Sequence, residues 1–359
     1  MTLLALLLFA MAQDGDAARA AVERSLPFLE KEGAVWIRQR DCLSCHHVPF
    51  LLWAHQEARA KGIPVDAGKI AGWTTWALQE SAAQRVRVRL AGPFEGLPTE
   101  TAARLEPLWT KPELKGGMKE GAFVKQLAKL LSAEEVSRHQ ADLLKHALRE
   151  KGDGGGVDTM AQLLLAGVGD AEFAASTRAH LVGFQLPDGS WKPNGQLSGL
   201  NRAAGEAVAL TTMWTALALG PTSDASRKAV EFIRKVPPGK TTEWLVVRSL
   251  LEPSPELLGE LRQRQNADGG WGAVKDAASD AFATGLALYA LGSPQDDAVR
   301  RGRKFLADSQ TEDGSWTVSA ASWTKPNSTP ERIRRLDPIF RYWGTSWATL
   351  GLSRTLPEK

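Results

Sequence analysis

From Ala17 to Lys359 the apolar positions recur mostly at helical spacing, and strand-type alternation is scarce, which predicts an all-α chain. Two kinds of helix alternate. "AVRRGRKFLADSQ" (Ala298 to Gln310) is half polar, so one side faces water. "EAVALTTMWTALAL" (Glu206 to Leu219), "DAFATGLALYAL" (Asp280 to Leu291) and "GTSWATLGL" (Gly344 to Leu352) are apolar or small almost all round, and a helix of that kind has to be buried.

The joints between the two kinds repeat. "QLPDGSW" (Gln185 to Trp191), "QNADGGW" (Gln265 to Trp271) and "QTEDGSW" (Gln310 to Trp316) share the spacing Gln-x-x-Asp-Gly-x-Trp, and their starts lie 80 and then 45 residues apart. "AVEFIRKV" (Ala229 to Val236) followed by "TTEWLVVRSLL" (Thr241 to Leu251) fills the longer gap as a degenerate unit. A period of roughly 40 residues fits stacked helical hairpins. Each copy reads as outer helix, turn, inner helix. Asp-Gly supplies the left-handed backbone that ends the outer helix, and Trp wedges against the neighbouring hairpin.

These Gln-Trp turns, the helix alternation and 13 tryptophans resemble the squalene-hopene cyclase and prenyltransferase (terpenoid cyclase) superfamily, most strongly from about Asp158 to Leu356. The resemblance implies an α/α toroid of inner and outer helices, here one toroid domain over 17–359, with Trp53, Trp214, Trp244 and Trp347 on inner helices. An isoprenoid-like small molecule in the central cavity is the partner it implies, and a packed core is the alternative. It concerns fold, which does not fix chemistry. The Asp-x-Asp-Asp acid motif of the cyclases is missing, since "DAASDAFATG" offers only Asp276 and Asp280, and no cysteine outside the opening segment can serve a prenyltransferase zinc site.

That opening segment holds the only two cysteines. "ARAAVERSLPFLEKEG" (Ala18 to Gly33) reads as an outer helix and "VPFLLWAHQEARA" (Val48 to Ala60) as the inner helix that follows. Where later repeats place Asp-Gly-x-Trp, this one has Cys42-Leu43-Ser44-Cys45-His46. Cys-x-x-Cys-His is the attachment motif of c-type haem. Two thiols add to the vinyl groups at one porphyrin edge, and the next imidazole reaches the iron. The expectation is haem c on segment 41–47, held by Cys42 and Cys45 with His46 as proximal ligand. A thioredoxin-like dithiol, a zinc site with His46 and His47 or His55, and a structural disulfide remain open alternatives. For the sixth position the candidates are Met160 or Met118, then His139 and His146, seven apart on one expected helix face; His180 reads as a surface residue.

The N-terminus agrees with haem attachment outside the cytoplasm. "MTLLALLLFAMAQDG" is apolar, too short to span a bilayer, and closes with Ala10-Met11-Ala12, so residues 1–12 read as a secretory signal and the chain as periplasmic or otherwise exported. Lys plus Arg (44) nearly balances Asp plus Glu (41), which gives no field to draw in nucleic acid. Leu90 to Glu120 and "KGDGGGVD" (Lys151 to Asp158), rich in Gly, with Pro in the first, read as connections, the first as linker or as a lid near the haem. Asp158, Glu206, Glu243 and Asp280 start inner helices, where capping and dipole compensation explain them more cheaply than an acid/base ring. Two functions follow. One is an exported c-type haem protein that transfers electrons to a redox partner or performs haem-based redox chemistry. The other is an isoprenoid- or lipid-binding protein or cyclase-like enzyme without haem.

Overall fold

The computed structural model describes residues 3–39, 43, 47–84, 87–150, 156–193 and 200–357. Where one toroid domain was expected, the chain divides into two compact units, Met1–Thr75 with Val157–Lys359, and Trp76–Gly156.

The chain opens with α1 (Leu3–Gln39), α2 (Val48–Ala60) and α3 (Ala67–Gln84). The second unit follows as β1 (Arg87–Leu90), α4 (Thr99–Trp109), α5 (Pro112–Lys115), β2 (Met118–Lys119), α6 (Glu120–Leu127), α7 (Ala133–Arg138), α8 (Gln140–His146) and β3 (Ala147–Glu150). Its antiparallel sheet has the order β2-β1-β3, with Val88 opposite Met118 on one side and Arg149 on the other. Val88, Leu105, Leu108, Leu114 and Phe123 belong to a buried apolar cluster of its own, which is why these residues form a body and not a linker.

The first unit resumes with α9 (Val157–Leu165), α10 (Ala171–Gly183), α11 (Ala204–Leu219), α12 (Asp224–Lys235), α13 (Thr242–Leu251) and α14 (Pro255–Gln263). It ends with the two-residue ladder β4 (Trp271–Gly272) and β5 (Ser279–Asp280), then α15 (Ala281–Leu291), α16 (Asp297–Ser309), the single turn α17 (Ala320–Trp323) and α18 (Pro330–Thr355).

Packing closes this unit into a ring. Each of α2, α9, α11, α13, α15 and α18 packs on the next, and α18 returns to α2. Outside them α10, α12, α14 and α16 pack on α9, α11, α13 and α15, while α1 lies against α18, α2 and α16. The first turns of α3 join the outer layer through Lys69–Glu30 (2.5 Å) on α1 and Trp73 against His55 on α2. The protein is therefore an all-α chain with an α/α toroid of inner and outer helices.

The side chains decide which ring a helix joins. On α12 only Ala225, Ser226, Ala229 and Ile233 are buried, one stripe of a polar helix, whereas α15 is buried from Ala281 through Leu288. Gly285 lets α15 and α18 touch backbone to backbone, because a Cβ there would collide with the main chain of Trp347.

The three Gln-Trp turns have one geometry. Gly189, Gly269 and Gly314 have φ of 92, 89 and 81°, the left-handed region that glycine adopts without penalty. Each tryptophan is buried, and its indole N–H donates back to its own outer helix, to Leu181 O, Leu261 O and Leu306 O at 2.7–2.8 Å. Its backbone N–H donates to a threonine of the following inner helix, Thr212, Thr284 or Thr345. Each glutamine Nε2 donates to the next outer helix in the ring. Gln185 reaches Ala225 O, Gln265 reaches Ala298 O, and Gln310 reaches Ala21 O. One heptapeptide thus ties three helices together, and the third copy closes the ring on α1.

Candidate functional site

The connection from α1 to α2 joins an outer helix to an inner one, as the Gln-Trp turns do. Cys42, Cys45 and His46 lie outside the described residues. Leu43 and His47, on either side, are described, and both are buried. The His47 ring is stacked between Trp36 (centroids 4.0 Å apart, planes 16°) and Tyr342 of α18 (4.3 Å, 15°). Tyr342 is fully enclosed, and burial pushes its phenol far above the ordinary value, so it keeps its proton and donates to His47 O at 3.3 Å. His47 is therefore held on both faces of its ring and through its carbonyl.

The other ligand candidates fall in both units. Met160 is fully buried on α9, an inner helix that packs on α2. Met118 is partly buried against the apolar cluster of the second unit. His139 and His146 stand at the two ends of α8, as its N-cap and its last residue, and His146 Nε2 donates to Glu95 O at 2.8 Å. His180 is half-buried beside Phe184, with ring centroids 4.8 Å apart. His55 is buried on α2, where Nδ1 donates to Leu51 O (2.7 Å) and desolvation lowers its pKa, leaving Nε2 3.4 Å from Glu30 Oε1. Among the described residues no three His, Cys, Asp or Glu side chains gather as a metal cluster, and no helix is long and apolar enough to cross a membrane.

The ring axis is packed. Trp53 of α2 meets Trp214 of α11 (6.3 Å), Tyr289 of α15 (5.7 Å) and Trp347 of α18 (5.5 Å), and Trp214 meets Trp347 at 5.6 Å. Helices α2, α11 and α15 are not neighbours in the ring, so these contacts span its axis. Edge-to-face pairs of large rings fill the space that small residues on the inner helices leave. Trp244 takes no part in this plug. It lies under Gly239, where a Cβ would stand 2.5 Å from its ring.

Above the plug, the connections that lead into α11, α13, α15 and α18 form a polar collar. Leu200 bridges Thr324, and Asn201 N–H donates to Trp323 O (2.8 Å); Thr241 bridges Val274, and Thr242 N–H donates to Ala273 O (2.9 Å). The four inner-helix acids belong here or to the helices beneath, and each has a partner. Asp158 Oδ1 accepts from Thr211 Oγ1 (2.8 Å), and Glu206 accepts from Thr241 N (2.9 Å) and Oγ1 (2.6 Å). Glu243 accepts from Arg202 (2.8 Å) and from the Trp214 indole (3.3 Å). Only Asp280 is an N-cap, accepting from Ala283 N (2.8 Å), and its other oxygen accepts from the Trp323 indole (2.9 Å). The partners of Glu206 and Glu243 sit on neighbouring hairpins and have no signature in the sequence.

Asp280 gives the collar a group that titrates near neutrality. The residue is partly exposed, but its carboxyl is enclosed beside Trp323 and Phe282, and that desolvation raises its pKa from 3.8 to about 6 against the hydrogen bonds that lower it. Between those values the folded chain binds a proton that the unfolded chain has released, so this group's contribution to stability falls as pH rises through the window. A shift of about two units corresponds to roughly 3 kcal/mol. Asp280→Asn keeps a capping oxygen and is expected to remove that slope, read as the difference between variant and wild-type urea midpoints from pH 4 to 7. Parallel profiles would contradict the assignment.

Two clefts open in the collar, one of about 180 Å³ and one of about 490 Å³. Arg202, Asn201, Thr241 and Val274 line both.

No protein-family model matches the chain, and no curated protein matches it. Among solved structures it is similar to one described as a possible member of the GH105 family from Salmonella enterica serovar Paratyphi A, at 12% identity and a TM-score of 0.36, over 95% of this chain and 93% of the other. At that level a superposition says nothing about chemistry. What the molecule's own contacts give is an α/α toroid with a packed axis, a polar collar, and a buried His47 held between Trp36 and Tyr342.

Proposed function

We propose that the protein is an exported c-type haem protein on a toroid scaffold that resembles the terpenoid cyclases, and that it transfers electrons to a redox partner. The observation that carries this reading is Cys42-Leu43-Ser44-Cys45-His46 in the connection between the first outer and inner helices. The donor set suits haem c in kind. Cys42 and Cys45 would form the thioethers and His46 would bind the iron, and the group supplies one-electron chemistry when bound. Two described neighbours of these residues support the reading: Leu43 is buried, and the stack of Trp36, His47 and Tyr342 immobilises the residue after His46.

The packed axis supports electron transfer over turnover of an apolar substrate inside the ring. It weighs equally against the second reading, an isoprenoid- or lipid-binding protein without haem, since Trp53, Trp214 and Trp347 occupy the volume such a ligand needs. The apolar N-terminus supports export, and in an oxidising compartment two cysteines are expected to form a disulfide or carry a cofactor, as they do here in this reading. The test is the absorption spectrum of the full chain made in a host that exports and matures c-type cytochromes, with a haem stain that survives denaturation. Coloured protein with denaturation-resistant stain is the expected result, and colourless protein from a competent host sinks the reading.

A further inference from the structure

We infer that Arg332 and Arg335, in the first turns of α18, pair with the two propionate carboxylates of the haem. The inference deepens the haem reading and rests on it.

Helix α18 overshoots the ring. It has 26 residues, against 9 to 16 for the other inner helices, and it is buried without a break only from Tyr342 to Ser353. The turns before Phe340 are half-buried or exposed. Contacts with α1 fix the register of this projection. Ser25 Oγ meets Thr349 Oγ1 at 2.7 Å, and a Cβ on Gly33 would stand 3.1 Å from the Tyr342 hydroxyl, so the two helices run antiparallel. Both rise by the same step per residue, and the continued register brings Gln39, the last residue of α1, level with Arg335 and Leu336. The chain leaves α1 there for the cysteines, and it returns at His47, whose ring is stacked on Tyr342. Both described ends of the attachment segment thus lie along the first turns of α18.

Two cations on that stretch are uncommitted. Tyr342, Arg335 and Arg332 are spaced by seven and then three residues, which sets them on one face of the helix. Arg334 is paired with Glu331 (3.1 Å) and Arg341 with Asp313 (2.6 Å), while Asp337 accepts from the Ala320 N–H (2.9 Å). Arg332 and Arg335 are exposed, and neither guanidinium has a partner among the described residues. Both sit toward the positive end of the helix dipole, so the helix itself gains nothing from their charge. Haem brings two carboxylates, and these arginines bring two positive charges. A guanidinium meets a carboxylate with two parallel N–H donors, which fixes orientation as well as charge.

The test is a redox titration of the full chain matured with haem, comparing wild type with Arg332→Gln/Arg335→Gln and with Arg332→Lys/Arg335→Lys. Removing two positive charges beside the haem favours the oxidised iron. The glutamine variant should therefore have a lower reduction potential, by about threefold in the oxidised-to-reduced ratio, or about 28 mV at 59 mV per tenfold for one electron. The lysine variant keeps the charge and should recover at least half of that shift. Haem that survives denaturation should be equal in all three, because attachment lies with Cys42 and Cys45. The melting temperature should hold, because both arginines are exposed. A wild-type potential in the glutamine variant, or lysine and glutamine variants displaced alike, would overturn the site while leaving the haem in place. Wild-type protein that matures without colour or stain brings down the haem reading and this inference with it, and the stain tells that outcome apart before any potential is measured.

Discussion

Replacing Trp271 with alanine is expected to lower the unfolding free energy by about 3–5 kcal/mol, as truncation of a fully buried tryptophan does. The indole has no exposure, and its N–H bond to Leu261 O is lost with it. The ring also fills a seat that cannot close behind it. Gly302 on α16 is kept bare by its presence, since a Cβ there would stand 2.9 Å from Cζ3 of Trp271. The cavity would thus sit at a joint between hairpins, where collapse would need two helices to shift. Urea denaturation of wild type and variant measures the loss. A change below about 1 kcal/mol would mean that the turn does not hold adjacent hairpins together.

The second large effect is chemical. Cys42→Ala together with Cys45→Ala is expected to abolish haem that survives denaturation, because no other thiol exists to form a thioether. His46→Ala is expected to leave attachment chemistry in place and to change the spectrum and the yield of mature protein, since it removes the iron ligand and not the covalent links. The haem stain after denaturing electrophoresis reads both variants. Stain retained by the double cysteine variant would refute the assignment of these residues.

The Gln-Trp turns were legible in the sequence because their chemistry is local. Glycine's left-handed backbone, the aspartate that caps the turn and the tryptophan that returns to its own helix all lie within ten or so positions of one another. The seat of each glutamine was not legible, since Ala225, Ala298 and Ala21 differ from one another only in where the ring brings them. The second unit was missed for a related reason. Its helices run from four to eleven residues, too short for a period to stand out against Pro and Gly, and the strand β1 is announced only by the short alternation in "RVRVRL" (Arg85 to Leu90). The carboxylates divided in the same way. Asp280 as a helix cap follows from its position before an apolar run, whereas the Arg202–Glu243 pair joins a loop to the first turn of α13 across 41 residues.

The clamp on His47 also sets an order of events during folding. One wall, Trp36, comes from the helix just before it, but the other, Tyr342, lies 295 residues downstream, and the last Gln-Trp turn reaches α1 across a separation of 289. Contacts that close such long loops form late, because the entropy of closure is spent before the contact returns anything. Nascent chain emerging with its N-terminus first therefore leaves His47 walled on one side only until the final hairpin has been made. Hydrogen exchange at the Leu51 amide, which donates to His47 O at 2.8 Å, should then track global unfolding and not local fraying, which makes a single amide a gauge of whether the ring is shut.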